Sequence, residues 1–201
     1  MKIPLKYQMT EDDCGSVSLL NCVAFLFEVE EMPLELIKLI SATAIDCYDD
    51  LGHLKGGGTT SNMMKFISRW VDLFATKKGI PLKAKYLSGL NVSPYEIAKC
   101  IKERGCVFMR TIQSNKEHFV ILTAIDDNFV YLFDPTFRLA ESYKGNKNIE
   151  FISGHPFTFN RRVKLEQFLD ELPKEFALGP VEKREVILFD RDDSIMAHQF
   201  G

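Results

Sequence analysis

No stretch of this 201-residue chain approaches the roughly 18 consecutive apolar residues that cross a bilayer, so no transmembrane segment is expected. Lys2 and Lys6 interrupt the opening residues, and no secretory signal is visible there. There is no basic excess either: 25 Lys and Arg stand against 28 Asp and Glu, for a net charge of -3. That balance argues against a nucleic-acid binder, which carries a basic stripe. The short clusters Lys77-Lys78 and Arg161-Arg162 read as solvated surface. The five cysteines (14, 22, 47, 100 and 106) are odd in number and irregularly spaced, which is no disulfide framework, so a reducing, cytoplasmic setting is expected. Cys100 and Cys106 have no matching second pair, so a zinc site is not expected. Gly56-Gly57-Gly58 lacks the Lys-Ser/Thr that follows in a phosphate-binding loop, and no dinucleotide fingerprint precedes a helix. Neither a cofactor nor a metal is therefore expected.

What is present is an ordinary globular composition, 46% apolar and 26% charged, in a chain long enough to bury a real core. From Cys14 onward Val17, Leu20, Val23, Ala24 and Phe27 recur at helical spacing, with Leu19 and Leu26 widening the face. Residues 33–40 read as a second short helix, and residues 52–58 as a glycine-rich loop. Thr59, Thr60 and Ser61 are N-cap candidates for a third helix with a stripe of Met63, Met64, Ile67, Trp70, Val71 and Phe74. A strand over 82–87 is followed by a helix with Ser93 as N-cap and Pro94 at its first position. Residues 106–112, 118–125 and Phe129–Phe133 are β-branched and aromatic and read as central strands. Further strands are expected at 149–152 and 186–189, and a short helix at 165–169. Helices first and a mostly antiparallel sheet afterwards is an α+β layout.

The informative stretch is Gln8-Met9-Thr10-Glu11-Asp12-Asp13-Cys14-Gly15. A thiol at the first turn of a helix meets unpaired backbone N–H groups and the positive end of the helix dipole, which favour a thiolate. Gly15 is expected to let the backbone pass close to a substrate. Gln8 can turn its amide towards the sulfur and donate to an oxyanion. Asp12 and Asp13 are cap candidates, and a carboxylate there opposes thiolate formation unless it points away. Taken alone, Cys14 reads as a small buried hydrophobe.

Its partners change that reading. The strands 118–125 and Phe129–Phe133 bracket Asp126-Asp127-Asn128, a turn composition. A three-residue loop pairs Ile125 with Phe129 and makes His118 and Asp134 diagonal neighbours on one face, otherwise filled by Val120, Leu122, Ala124, Val130 and Leu132. A two- or four-residue loop without a bulge would separate them. A carboxylate on one imidazole nitrogen fixes the tautomer and frees the other for a thiol. A purely structural His–Asp pair at a sheet edge is the alternative.

Together Gln8, Cys14, His118 and Asp134 resemble the papain-like cysteine peptidases, and among them the bacteriocin-processing peptidases that cleave precursors after a double-glycine leader. The likeness lies in the Gln-to-Cys spacing, in Asp13-Cys14-Gly15 before an apolar helix, in His118-Phe119-Val120-Ile121 opening a strand, and in Asp134-Pro135 ending the next. It spans roughly residues 5–136. It implies a papain-like cysteine proteinase fold, with N-terminal helices packed on a mostly antiparallel sheet. It also implies roles: Gln8 as oxyanion donor, Cys14 as nucleophile, His118 as general base and acid, and Asp134 as its orienter. The implied substrate is a peptide or precursor protein. Members of that family are often the N-terminal part of a membrane transporter with an ATPase. This chain shows neither, which leaves association with a separate transporter as the corresponding expectation. Ser16-Val17 stands where the family commonly has a Pro-Ala type of pair, a departure that bears on the double-glycine substrate more than on the chemistry.

The expected organisation is one papain-like domain over 1–201, with a catalytic core at 1–148 and a C-terminal extension at 149–201 of no assigned role. Hydrolysis of a peptide or amide bond through an acyl-enzyme is the leading expectation. Transglutaminase-like or peptidyl-transferase acyl transfer, or a non-catalytic peptide-binding module, are the alternatives. Cys22 and Cys100 are expected in the core, His53 exposed in its loop, and His155 and His198 outside any constellation.

Overall fold

The computed structural model describes residues 1–48, 51–53 and 58–191, so His198 and part of the glycine-rich loop lie outside the described residues. Three helices come first: α1 (Cys14–Leu26), α2 (Leu34–Thr43) and α3 (Ser61–Lys78). Then follow β1 (Lys83–Ser88), α4 (Pro94–Lys102), β2 (Cys106–Gln113), β3 (Lys116–Ile125) and β4 (Phe129–Phe133). The chain continues through β5 (Ile149–Phe151), β6 (Arg161–Lys164), the single-turn α5 (Leu165–Phe168) and β7 (Glu185–Asp190).

The strands form one seven-stranded sheet in the order β1-β7-β2-β3-β4-β6-β5, with every pairing antiparallel. The α+β layout expected from the sequence is thus the architecture observed. The sheet separates two apolar layers. On one side α1, α2 and α3 contribute Leu19, Cys22, Leu36, Ile40, Met64 and Ile67 against Phe108, Phe119 and Ile121. On the other side Ile97 and Cys100 of α4 and Phe168 of α5 cover Val107, Met109, Val120, Leu122 and Val163. Thr60 caps α3 by accepting from the Met63 N–H, and Ser93 caps α4 by accepting from the Glu96 N–H. The third stripe falls on the core as expected, but α1 turns by part of a turn. Ser18, Leu19 and Cys22 are buried, while Val17 and Leu20 are only half-buried.

The last quarter of the chain completes this sheet. β7 inserts between β1 and β2, and β6, not foreseen in the sequence, pairs with β4.

The β3–β4 hairpin corrects the expected register. Ile125 pairs with Val130, not with Phe129, so the turn is one residue longer than a three-residue loop. Taken alone, that change puts His118 and Asp134 on opposite faces. A β-bulge at Thr123 inserts one residue and restores the pairing, with Leu122 opposite Leu132 and Ile121 opposite Phe133. Beyond the bulge the parity flips, so Ile125 rather than Ala124 packs beside Leu122 in the second layer. Thr123 is held there by donating to the Thr158 carbonyl at 2.9 Å.

Candidate active site

The site lies where the start of α1 meets the ends of β3 and β4. Cys14 is the first residue of α1 and is 8% exposed. One turn further, the buried Ser18 hydroxyl donates to the Phe119 carbonyl at 3.0 Å and ties the helix to the residue beside His118. The first turn of α1 holds no acidic residue. The Asp13 carboxylate does not cap the helix. It turns back to accept from the backbone N–H groups of Thr10 at 3.0 Å and Met9 at 3.2 Å, away from the orphan donors that face the thiol.

Gly15 serves a different purpose from the one expected. A Cβ built there would stand 2.1 Å from Thr59 Oγ1 and 3.3 Å from Phe119 Cδ2. Its lack of a side chain therefore lets α1 approach the start of α3 and β3, which is packing rather than room for a substrate. Thr59 is held in turn by the Ala44 carbonyl.

His118 and Asp134 meet as the register requires. His118 Nε2 lies 2.8 Å from Asp134 Oδ1, which leaves Nδ1 as the ring nitrogen available to the Cys14 thiol. Burial on its own disfavours a charged imidazole here. Hydrogen bonding to Asp134 and then to Cys14 outweighs that, and the His118 pKa is pushed up to about 9.

Asp134 is fully buried and saturated with donors. Oδ1 also accepts from the Thr136 N–H at 2.9 Å, and Oδ2 accepts from Gln113 Nε2 at 3.3 Å and faces Arg161 Nη2 at 3.5 Å. Its backbone is clamped by Asn160, whose side chain accepts from the Asp134 N–H and donates to the Asp134 carbonyl, both at 2.8 Å.

Gln8 is brought to the same place. Its N–H donates to the Pro135 carbonyl at 2.8 Å, and its Oε1 accepts from Thr136 Oγ1 at 3.2 Å. Its Nε2 donates to the Thr10 carbonyl at 2.8 Å and retains a second hydrogen. The segment before it is fastened to α1 by Asn21, which bonds both backbone groups of Lys6. Thr136 joins Gln8, Asp134 and His118, whose Nε2 it approaches at 3.5 Å, and Cys14 is joined to them through His118.

Gln113, Thr136, Asn160, Arg161 and Ser18 were not anticipated. Arg161 is the clearest correction: read as solvated surface, it is 0% exposed. The four residues of β6 alternate in burial, but only Val163 among them is apolar, so no alternation is visible in the sequence. Cys22 and Cys100 are buried as expected, His53 is exposed, and His155 stacks on Phe159. Among the described residues no helix is long and apolar enough to cross a membrane, and no group of His, Cys, Asp or Glu could hold a metal ion.

No family model and no curated protein matches the sequence. Solved structures do match in three dimensions. One is the crystal structure of a chain from Bacillus anthracis described provisionally as a C39-like peptidase. It shares 17% sequence identity with a TM-score of 0.51, covering 94% of this chain and 96% of that one. The likeness is one of fold: this chain has the α+β, papain-like architecture of a C39-like peptidase.

Proposed function

We propose that the protein is a cysteine peptidase. The observation that carries this reading is a thiol at a helix start set against a buried His118–Asp134 pair. The fold shared with a C39-like peptidase supports it.

In the reaction proposed, His118 takes the Cys14 proton and the thiolate attacks the carbonyl carbon of a peptide bond. The resulting oxyanion accepts from the Gln8 side-chain N–H and the Cys14 backbone N–H. Collapse breaks the C–N bond as the His118 imidazolium gives its proton to the leaving amine. Water, deprotonated by His118, then attacks the thioester, and the carboxylate product leaves as Cys14 recovers its proton. Asp134 keeps the imidazole oriented throughout and stabilises its charged form.

The narrower reading is a precursor cleaved after a double-glycine leader, with a separate transporter as partner. It rests on the motif order over residues 5–136. Peptides carrying Gly-Gly before the scissile bond should be cut faster than their Ala-Ala counterparts, with fragments read by mass spectrometry. Cutting in 18O-labelled water should place one labelled oxygen in the new carboxylate. Amide products formed from added amines, without label, would contradict hydrolysis, and intact peptide with an unreactive Cys14 would contradict catalysis.

A further inference from the structure

Arg161 is the bulkiest of the fully buried side chains, and it stands directly behind Asp134. A cation at that depth is unfavourable unless it is paired and hydrogen-bonded. Its guanidinium is used on every side. Nε donates to the Tyr143 hydroxyl at 3.0 Å, Nη1 to the Asn160 carbonyl at 3.0 Å, and Nη2 to the Thr136 carbonyl at 3.3 Å. The rings of Tyr143 and Phe151 each lie 5.0 Å from the guanidinium carbon. Its ion pair is with Asp134 Oδ2, the oxygen that His118 does not use.

Charge balance follows. With Arg161 and Asp134 ionised, the buried set of four sums to zero when Cys14 and His118 are neutral. It sums to zero again when they become thiolate and imidazolium. Without the guanidinium both states carry an unbalanced negative charge in a buried site. We infer that Arg161 is a positioning residue whose positive charge balances Asp134, so that Cys14 and His118 can exchange a proton inside a buried site. This rests on the cysteine-nucleophile reading above.

The ionisable groups around the pair are few. Cys14 faces His118 from α1, Asp134 follows β4, Arg161 comes from β6, and Tyr143 from the turn at Ala140–Tyr143. Arg138, itself paired with Glu175, lies further out and is felt at Tyr143. Gln8, Gln113 and Thr136 are uncharged. Removing the Arg161 charge makes the potential at both reacting groups more negative, so each holds its proton to higher pH.

The test is the pH profile of Cys14 alkylation by iodoacetamide, followed by site-resolved mass spectrometry. In Arg161→Gln both limbs of the profile should move up by about one pH unit. Arg161→Met, whose chain keeps the apolar packing between the two rings, reads the same shift if the glutamine variant does not fold. Arg161→Lys keeps the charge but loses the fork, and its limbs should stay within about 0.3 pH unit of wild type. Limbs unmoved in the neutral variants, or moved as far in Arg161→Lys, would overturn the inference and leave a purely structural arginine. Failure of the underlying reading looks different: wild-type Cys14 would react no faster than the other cysteines, or would be indifferent to His118→Ala.

Discussion

The two halves of the candidate site are built differently. On the base side, His118 is 5% exposed, Asp134 and Arg161 are 0% exposed, and each is held by several hydrogen bonds on three strands or their ends. On the nucleophile side, Cys14 opens a helix behind a polar segment in which Gln8 is half-buried and Met9 is 94% exposed. One half is an ionic network at the ends of the strands, and the other is a buried thiol at a helix start, the proposed nucleophile, beside an exposed segment. Damage to the first should therefore appear in stability as well as rate, and damage to the second in rate alone.

The largest expected effect is on the nucleophile side. Cys14→Ser should reduce peptide cleavage by on the order of 10⁴–10⁶-fold. Urea unfolding should move by less than about 1 kcal/mol, because the replacement is nearly isosteric. A comparable loss of stability would erase the contrast between the halves. Asp134→Ala should show both losses: leaving Arg161 uncompensated should cost about 3–5 kcal/mol in urea unfolding, with activity lost as well. Gln8→Ala is expected to lower kcat by about 10²–10³-fold with an unchanged urea midpoint, as for one lost oxyanion donor.

The pH dependence is smaller and its sign follows from His118. Its folded pKa of about 9 lies above the 6.5 of a free imidazole side chain. The protonated ring therefore stabilises the fold fully below about pH 6.5. That stabilisation is lost as pH rises towards 9, at on the order of 1 kcal/mol per pH unit, and His118→Ala should flatten the urea midpoint over this window. The smallest effect is at the joint between the halves. Ser18→Ala should cost about 1 kcal/mol and slow Cys14 alkylation several-fold by loosening α1 against Phe119.

The same contrast explains what could be read from the sequence. Cys14 and Gln8 were legible because their signals are local: a thiol, a glycine and a helix start within eight positions. His118 and Asp134 were legible because strand parity reduces their meeting to arithmetic. That arithmetic reached the right pairing by a wrong route. The longer turn and the bulge at Thr123 offset each other, and neither has a mark in a run of β-branched residues.

The supporting shell was illegible for a physical reason. Arg161 is buried only because Asp134, Tyr143 and Asn160 reach it from elsewhere in the chain. A charged pair in a four-residue strand gives no sign of such partners. Gly15 is similar: the need for it is set by Thr59, which is 44 positions further along the chain (59 − 15 = 44).

The central claim is that Cys14 is a nucleophile activated by His118, and site-resolved alkylation tests it most directly. Native protein is treated with limiting iodoacetamide at pH 7, and the rate is measured at Cys14, Cys22, Cys47, Cys100 and Cys106. Cys14 should react at least about 10-fold faster than any other cysteine, and His118→Ala should bring it down to their level. Equal rates at Cys14 and the half-exposed Cys47, or a Cys14 rate indifferent to the loss of His118, would contradict the account.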